Sequence, residues 1–471
     1  MLHVSTRGEA PAIGFTDALL TGLARDGGLY VPADYPVLTP ESIAGFAGRR
    51  YADVAKSVLG ALIGDEIPAA DLGAMIDGAY ASFRHPAICP ITQIGDGLFV
   101  LELFHGPTLA FKDVAMQLLG RLMDHALKTR GARATIVGAT SGDTGSAAVE
   151  AFRGLSQVDV FVLYPHGRVS DVQRRQMTTV GADNVHAVAL EGTFDDCQSI
   201  LKGLFNHGAF RDELRLSGVN SVNWARVAAQ SVYYFTSAVA LGAPFRPVSF
   251  SVPTGNFGDV LAGHIAKRMG LPVATLGIAT NANDILARTL ATGTYELRGV
   301  QPTTSPSMDI QISSNFERLL FEAYDRDAGA VRRLMASLAQ SGSFTIDPGP
   351  LARIREEFTA AAISEEDVAR EIGETYAACG YLLDPHTAIA TRAARAAATR
   401  DPAVPQVILA TAHPAKFPDA VERASGVRPA LPPHLADLFE REERFDVLAN
   451  DHGAVERFIR ERARAVKGAA A

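Results

Sequence analysis

The sequence has few cysteines and no long apolar run, and each shortage excludes a class of protein. Only three cysteines, Cys89, Cys197 and Cys379, occur among 471 residues. Their odd number and wide spacing argue against a disulfide framework or a zinc cluster, and we predict no metal site. No apolar run reaches the roughly 18–20 residues that cross a bilayer, and the N-terminus lacks the pattern of a secretory signal. We therefore expect a cytoplasmic protein with no membrane partner.

The charge of the chain is moderate and evenly spread. Charged residues make up 20 % of the sequence, the formal net charge is −8, and no long stretch carries a single sign. A net negative chain is repelled by nucleic acid, so nucleic acid is not predicted as a partner. Apolar residues account for 47 %, which is enough for a large core and, at this length, for about two or three domains.

Short apolar runs alternate with amphipathic helical segments through the middle of the chain. The runs ARATIVGAT, VDVFVLYP and VHAVAL predict strands, and a helical pattern follows each of them. The alternation resumes at PVSFSVPTGNFGDVLAG, and PQVILATA predicts a last buried strand. Such alternation is typical of βαβ units, so we predict an α/β fold with parallel strands.

Two glycine-rich turns each lie between a predicted strand and a predicted helix. They are Ser141–Gly145 and Gly255–Asp259. Free N–H groups at a helix start carry partial positive charge, so each turn could bind a carboxylate or a phosphate, although glycine there also serves ordinary chain reversal. The chain has no G-K-[ST] and no G-x-G-x-x-G, and GATSG has threonine where a hydrolase needs serine.

Lys112 lies between Phe111 and Asp113 in a mostly apolar stretch. Burial lowers the pKa of a lysine because it disfavours the charged form, and a neutral amine is a nucleophile. Pyridoxal phosphate would supply both an aldehyde for this amine and a phosphate for a glycine-rich turn. A lysine that extends its amine to solvent from the start of a helix is the alternative.

Five segments, FHGPTLAFKD, SGDTG, VNSVNWAR, PTGNFGD and TAHPAKF, together resemble the threonine synthases of the longer type found in yeast and enteric bacteria. The resemblance implies a pyridoxal-phosphate-dependent fold of the tryptophan-synthase type (fold type II), with two open, mostly parallel sheets, helices on both faces, and helical additions at both termini. We expect an N-terminal domain over 1–95, a catalytic region over 96–425 with a smaller lobe over roughly 110–235, and a C-terminal helical extension over 426–471. The Gly-Ala-Ala-Ala end is expected to fray.

The same resemblance implies a lyase that makes L-threonine and phosphate from O-phospho-L-homoserine and water by γ-elimination and β-addition. It implies that Lys112 forms the Schiff base and that the Thr411 hydroxyl meets the pyridine nitrogen. The residues that it places around the cofactor phosphate, largely through backbone N–H groups, are Gly255, Asn256, Phe257, Gly258 and Asp259.

Substrate contacts are predicted at the first turn, Ser141, Gly142, Asp143, Thr144 and Gly145, which should hold the carboxylate. Cations for the leaving phosphate could come from Arg7, His105, Arg168 and Lys416. Related enzymes of the wider family often have asparagine where this chain has Asp143. Since an ionised aspartate cannot donate a hydrogen bond, either Asp143 faces a cofactor phenol that keeps its proton, or it has another role, such as capping a helix.

Other functions stay open at this point. Within the same chemistry, the chain could be a phospholyase, a dehydratase or a cysteine synthase. Outside it, the chain could be a regulatory binding protein, or a sugar or nucleotide enzyme without pyridoxal. Monomer and homodimer are both compatible with the sequence.

Overall fold

The computed structural model describes residues 1–467 of the chain, so the Gly-Ala-Ala-Ala end lies outside the described residues. Parallel strands alternate with helices through the middle of the sequence, as predicted. The strands are β1 (Leu2–Ser5), β2 (Ile13–Gly14), β3 (Tyr30–Pro32), β4 (Ile91–Gly95), β5 (Leu98–Glu102), β6 (Ala134–Ala139), β7 (Val158–Pro165), β8 (Val185–Glu191), β9 (Leu216–Ser217), β10 (Val248–Pro253), β11 (Val273–Thr280), β12 (Thr294–Glu296), β13 (Ser343–Thr345), β14 (Phe358–Ala362), β15 (Gln406–Ala410) and β16 (Asp446–Ala449).

Helices separate these strands and cover the sheets. They are α1 (Phe15–Thr21), α2 (Pro40–Ala44), α3 (Tyr51–Ile63), α4 (Ala69–Tyr80), α5 (Lys112–Thr129), α6 (Asp143–Phe152), α7 (Asp171–Thr178), α8 (Phe194–Asn206), α9 (Gly208–Leu214), α10 (Trp224–Ala240), α11 (Gly258–Arg268), α12 (Ile285–Thr292), α13 (Phe316–Ala323), α14 (Ala328–Ser341), α15 (Pro348–Glu357), α16 (Glu365–Cys379), α17 (Pro385–Arg400), α18 (Pro418–Ser425), α19 (His452–Arg462) and α20 (Arg464–Lys467). Short 3-10 turns occur at Gly64–Glu66, Pro306–Met308, Pro414–Lys416 and Pro433–Leu435.

Two large sheets form the centre of the molecule. The first has the order β14-β11-β10-β15-β5-β4 and is parallel except for β4, which pairs antiparallel with β5. The second, fully parallel, has the order β16-β8-β7-β6-β9. The carboxyl ends of parallel strands meet at one edge of a sheet, where ligands bind in open α/β folds. The glycine-rich turns follow β6 and β10 at such edges.

Helices α5 and α10 are buried along most of their length, and they pack against each other. Their sequences are apolar on several faces, which suits helices enclosed by protein rather than facing water. Helix α5 begins with Lys112 of the predicted site, and α10 begins with Trp224 in the VNSVNWAR segment. Two largely buried helices therefore position these segments.

The terminal parts contain strands as well as the predicted helices. Near the N-terminus, β1 pairs antiparallel with β2 and β3. Near the C-terminus, β16 adds an edge strand to the second sheet, and the apolar face of α19 packs on that sheet through Val455, Phe458 and Ile459. The extension is therefore part of the second sheet and its core. The domain boundaries at 95/96 and 425/426 stay predictions.

A search of residues 1–467 finds no helix with the length and apolar content that a membrane crossing requires.

Replacing Phe458 with alanine tests whether the C-terminal extension is integral to the fold. The ring is 6 % exposed and packs against Phe161. We expect Phe458→Ala to lower the free energy of unfolding by about 3 kcal/mol, since truncating a buried aromatic residue leaves a cavity. Urea denaturation followed by circular dichroism measures the change. The control is Phe245→Ala, at a ring that is 87 % exposed; equal effects in both variants would show that the extension is not packed in this way.

Candidate active site

The loop before Lys112 is fastened to the segment that follows β15. The Phe111 N–H donates to the Thr411 carbonyl at 2.8 Å, and the His413 N–H donates to the Leu109 carbonyl at 3.0 Å. Thr411 is itself buried. The pairing places Thr411 beside the first residue of α5, so two residues that are far apart in sequence lie close together. Their roles toward the cofactor stay predictions.

The amine of Lys112 lies inside the protein among charges of both signs. The side chain is 10 % exposed, and its Nζ lies 3.5 Å from Oδ2 of Asp143. Burial lowers the pKa of Lys112, the Asp143 carboxylate opposes that shift, and the positive charges of Lys416 and Arg226 add to it. The surroundings thus favour the neutral, nucleophilic amine that the sequence predicts.

Asp143 is the counter-ion of two lysines. Its Oδ1 lies 2.8 Å from Nζ of Lys416 and accepts a hydrogen bond from Nε2 of Gln173 at 2.9 Å. Burial alone would raise the pKa of Asp143, but the charges of Lys416 and Lys112 outweigh it and hold the pKa well below its usual range. Asp143 is ionised, and no capping hydrogen bond to α6 is made by its side chain. The capping role considered from the sequence is therefore wrong.

Lys416 is fully buried, and its amine has two polar partners inside the protein. Its Nζ donates to the Thr108 carbonyl at 2.7 Å as well as pairing with Asp143. Thr108 in turn donates its N–H and hydroxyl to Asp113, whose pKa burial raises to about 6. Because Lys416 is engaged in this network, its proposed use as a cation for the leaving phosphate is not what the geometry favours.

The first glycine-rich turn is held open by Thr140. Its Oγ1 accepts the N–H groups of Gly142 and Gly145, both at 2.9 Å. Gly142 has φ of +142°, and a Cβ there would lie 2.3 Å from the Gln173 side chain, so the position requires glycine. Within residues 1–467 no acceptor faces the N–H groups of Ser141, Asp143 and Thr144. The turn is therefore able to bind an anion through its backbone.

The second turn offers a longer row of free donors. In the described part of the chain, the N–H groups of residues 255–259 have no hydrogen-bond acceptor. Phe257, in the left-handed conformation at φ of +65°, forms the N-cap of α11, so the turn ends on a helix N-terminus. A curved row of N–H groups at a helix start is the usual protein cradle for phosphate. We call residues 255–259 the phosphate cradle.

Side chains from the segment before α13 hold this cradle. The Ser313 hydroxyl donates to the Gly255 carbonyl at 2.6 Å, and the Asn315 N–H and Nδ2 donate to the Asn256 carbonyl at 3.2 and 3.0 Å. The Asn315 Oδ1 accepts from Arg318, a fully buried residue. The carbonyls are thus engaged on one side of the turn, which leaves the N–H groups free for a ligand.

The Asp259 side chain points away from the cradle. Its Oδ1 accepts from the Tyr233 hydroxyl at 2.5 Å and the Tyr234 hydroxyl at 3.2 Å. Burial raises the pKa of this carboxyl to about 7. Asp259 could serve a phosphate only through its N–H, as the prediction of backbone contacts requires.

Arg226 is a buried cation without a carboxylate. Its Nη1 donates to the Val219 carbonyl at 3.0 Å, and Nε has no partner within residues 1–467. Burial lowers the pKa of Arg226 to about 10. Asn223, three residues earlier, caps α10 by accepting the Ala225 N–H at 3.1 Å. A buried guanidinium with a free donor is suited to an anionic ligand.

Two predicted cations are engaged elsewhere. Arg7 donates to both carboxylate oxygens of Glu317, at 3.1 and 3.0 Å. The Nε2 of His105 lies 2.6 Å from Oε2 of Glu102, and the imidazole ring packs against His85. Neither hydrogen-bonds to the residues around Lys112. Their roles in substrate binding therefore rest on the sequence prediction alone.

A cavity of about 790 Å³ adjoins the first turn. Thr144, Asn220 and Ser314 are among its polar lining residues, and the exposed side chains of Leu23 and Ile312 also line it. Small molecules enter such clefts and have their orientation fixed by a few polar groups on an apolar wall. The cavity reaches the Thr144–Gly145 end of the first turn, and neither Lys112 nor the phosphate cradle is among its lining residues.

Several supporting residues were missed by the sequence prediction. The side chains of Gln173, Ser313 and Arg318 hydrogen-bond to the site or to residues that support it, although all three lie outside the glycine-rich motifs. The only local signal was the SSNFERL segment.

Among residues 1–467, no group of three or more His, Cys, Asp or Glu side chains is placed to hold a metal ion.

The arrangement fits an aldehyde cofactor that carries a phosphate. It provides a buried amine, a neighbouring threonine and a separate phosphate cradle, together with a second turn for a substrate anion. The fit comes from the free N–H groups of the cradle and from the buried amine of Lys112, whose pKa burial lowers.

Comparisons with known proteins agree with this fit. Three family models match the chain: "Threonine synthase N terminus" over residues 2–80, "Pyridoxal-phosphate dependent enzyme" over 90–348, and "Threonine synthase, C-terminal" over 387–459. A threonine synthase of Pseudomonas aeruginosa is 52 % identical over 460 residues, which cover 98 % of each chain.

Solved structures lead to the same family. The PLP-bound threonine synthase of Brucella melitensis has a TM-score of 0.97 at 61 % identity, covering 98 % of this chain and 100 % of its own. Yeast threonine synthase has a TM-score of 0.93 at 40 % identity, covering 98 % of both chains. The predicted fold family and the predicted cofactor, pyridoxal phosphate, are confirmed. The chain belongs to the threonine synthase family of pyridoxal-phosphate-dependent enzymes.

Proposed function

We propose that the protein is a threonine synthase that converts O-phospho-L-homoserine and water to L-threonine and phosphate. The observation that carries the proposal is the buried amine of Lys112, which lies near the first of two turns with free N–H groups. The near full-length similarity to proteins named threonine synthase supports it.

The residues for the cofactor follow from the site. Lys112 would bind the aldehyde, the N–H groups of the phosphate cradle would bind the phosphate, and the Thr411 hydroxyl would meet the pyridine nitrogen. Pyridoxal phosphate, when bound, supplies an electron-accepting ring that stabilises negative charge at the substrate Cα. A hydroxyl at the ring nitrogen, unlike a carboxylate, does not favour its protonation, which should limit transamination as a side reaction.

The remaining donors suit the two anionic ends of the substrate. The free N–H groups of Ser141, Asp143 and Thr144 are placed for the carboxylate. Arg226, which has a buried guanidinium and no carboxylate partner, is our candidate for the substrate phosphate. Asn220 and Thr144, which line the cavity, could add neutral donors. Two separate anion sites would fix both ends of the substrate and orient the bonds between them.

Lys112 also serves as the base in this proposal. Once the substrate amine has taken its place, the neutral Nζ removes the Cα proton and later returns protons to the carbon chain. Over the whole reaction the bond from Cγ to the phosphate oxygen breaks and phosphate leaves with the electron pair. Cβ loses one proton and bonds to the water oxygen, Cγ gains one proton, and the remaining proton of the water goes to the leaving phosphate. Burial of the amine matters because it lowers the pKa of Lys112 and so favours the unprotonated Nζ that can take the proton.

We further propose that the enzyme works in the cytoplasm on this small molecule, as a monomer or a homodimer, with the domain boundaries predicted above. Free thiols support a reducing compartment: Cys89 and Cys197 are buried and unpaired in the described residues.

Replacing Lys112 with alanine tests the proposal directly. We expect Lys112→Ala to lower the rate of threonine formation by about 10³-fold or more, because the variant loses its general base and covalent amine. Phosphate release and amino-acid analysis measure the products. Lys128→Ala is the matched control, since Lys128 lies on the same helix with its side chain 55 % exposed; its rate should stay within about twofold.

The same assay separates the alternatives. A phospholyase or dehydratase would release a 2-oxo acid and ammonia in place of threonine. Threonine formation by Lys112→Ala at the wild-type rate would contradict the assignment of Lys112. Formation of an oxo acid as the main product of the wild-type protein would contradict the synthase itself.

Removing the Asn315 side chain tests the phosphate cradle. Asn315→Ala removes the side-chain Nδ2 that donates to the Asn256 and Ser221 carbonyls, while the backbone N–H at position 315 still donates to Asn256. We expect about tenfold weaker binding of pyridoxal phosphate, which corresponds to roughly 1.4 kcal/mol for lost support of the cradle. Titration of the cofactor-free protein, followed by visible absorption, measures the dissociation constant. Asn206→Ala, at an exposed helix end, is the control, and equal affinities in both variants would rule out this support.

A further inference from the structure

The carboxylate of Asp143 lies between two buried lysines, Lys112 and Lys416. It is closer to Lys416, which has no role in the proposed mechanism. Lys416 is fully buried, and its Nζ lies 2.8 Å from Oδ1 of Asp143. The other oxygen, Oδ2, faces Nζ of Lys112 at 3.5 Å. Gln173 adds a hydrogen bond to Oδ1, and the Ser307 hydroxyl lies 3.5 Å from Oδ2. The carboxylate is therefore engaged from both sides.

The charged groups around Lys112 come from three elements. Asp143 faces it from α6, Lys416 from the 3-10 turn after β15, and Arg226 from α10. Lys416 also faces Asp113, whose own carboxylate is taken by Thr108. The charged groups that act on the Lys112 amine are thus two cations, Lys416 and Arg226, and one carboxylate, Asp143. If Lys416 were absent, Asp143 would form an isolated ion pair with Lys112 and favour its charged form.

We propose that Lys416 is a positioning residue for the amine of Lys112. By pairing with Asp143, Lys416 offsets the charge of the carboxylate, so that Lys112 can lose its proton while the carboxylate stays within reach as a hydrogen-bond acceptor. In return, the Asp143 carboxylate holds the amine of Lys416 in place. The inference rests on the proposed role of Lys112 as the reactive amine.

The two partners should shift the titration of Lys112 in opposite directions. Lys416→Met leaves Asp143 to Lys112 alone, so the pKa of Lys112 should rise. Asp143→Asn leaves Lys112 facing only cations, so its pKa should fall by a similar amount. In the double variant the two changes should largely cancel. A purely structural role predicts another outcome, because loosening the site in either variant would hydrate the amine and raise its pKa in both.

Competitive acetylation measures this titration without using activity. The full-length protein, freed of cofactor, reacts with trace acetic anhydride over a range of pH, and mass spectrometry quantifies the modification of Lys112 against exposed Lys128. We expect about tenfold less modification of Lys112 at neutral pH in Lys416→Met and a gain in Asp143→Asn. Lys416→Gln, which keeps a neutral donor, replaces the Met variant if that protein does not fold. If both replacements fail to fold, the direction of the Asp143→Asn shift decides.

Shifts in the same direction, or no shift, would overturn the inference. They would leave the proposed function standing, because that function depends on threonine formation by the wild-type protein and its loss in Lys112→Ala. Conversely, if the wild-type protein formed no threonine, the proposed function would be contradicted, whatever the titration of Lys112 shows.

Discussion

The site depends on a single buried carboxylate, Asp143, held between two amines. It connects the first turn of α5, the first turn of α6 and the segment after β15, three parts of the chain that meet only in the folded protein. A buried charge is costly unless it is paired and hydrogen-bonded, and Asp143 has both kinds of partner. This one interaction thus links Lys112 to Lys416 and opposes the effect of burial on the pKa of the Lys112 amine.

The fold brings these parts together through the ends of its parallel strands. The first turn follows β6, the phosphate cradle follows β10, and Thr411 follows β15. Each strand end delivers a short polar segment to the same region, while buried helices behind it, chiefly α5 and α10, supply Lys112 and Arg226. Loops on a rigid scaffold of this kind can hold two anions and an amine without large adjustment.

Much of this could be predicted from the sequence, because local patterns carry it. The alternation of apolar runs and helices indicated the parallel strands, and the glycines indicated both turns. Lys112 stood out because its neighbours are apolar. The strand β16 near the C-terminus was missed, since it has only four residues and its pattern is set by the sheet that it joins.

Contacts between distant segments could not be predicted in the same way. Nothing in TAHPAKF indicates that Lys416 turns inward to Asp143, and the hydrogen bonds from Asn315 to the cradle depend on how α13 packs. Arg7 and His105 show the opposite case: both looked available as cations, yet Arg7 is paired with Glu317 and His105 with Glu102. Tertiary pairing decides which charged side chains are free to bind a ligand, and a sequence motif does not encode that pairing.

The central claim is that, of the two lysines beside Asp143, the cofactor bonds to Lys112. Borohydride reduction of the protein purified with its cofactor, followed by peptide mapping, tests this most directly. The account predicts a stable pyridoxyl group on Lys112 and an unmodified Lys416. A pyridoxyl group on Lys416, or on any lysine other than Lys112, would contradict it.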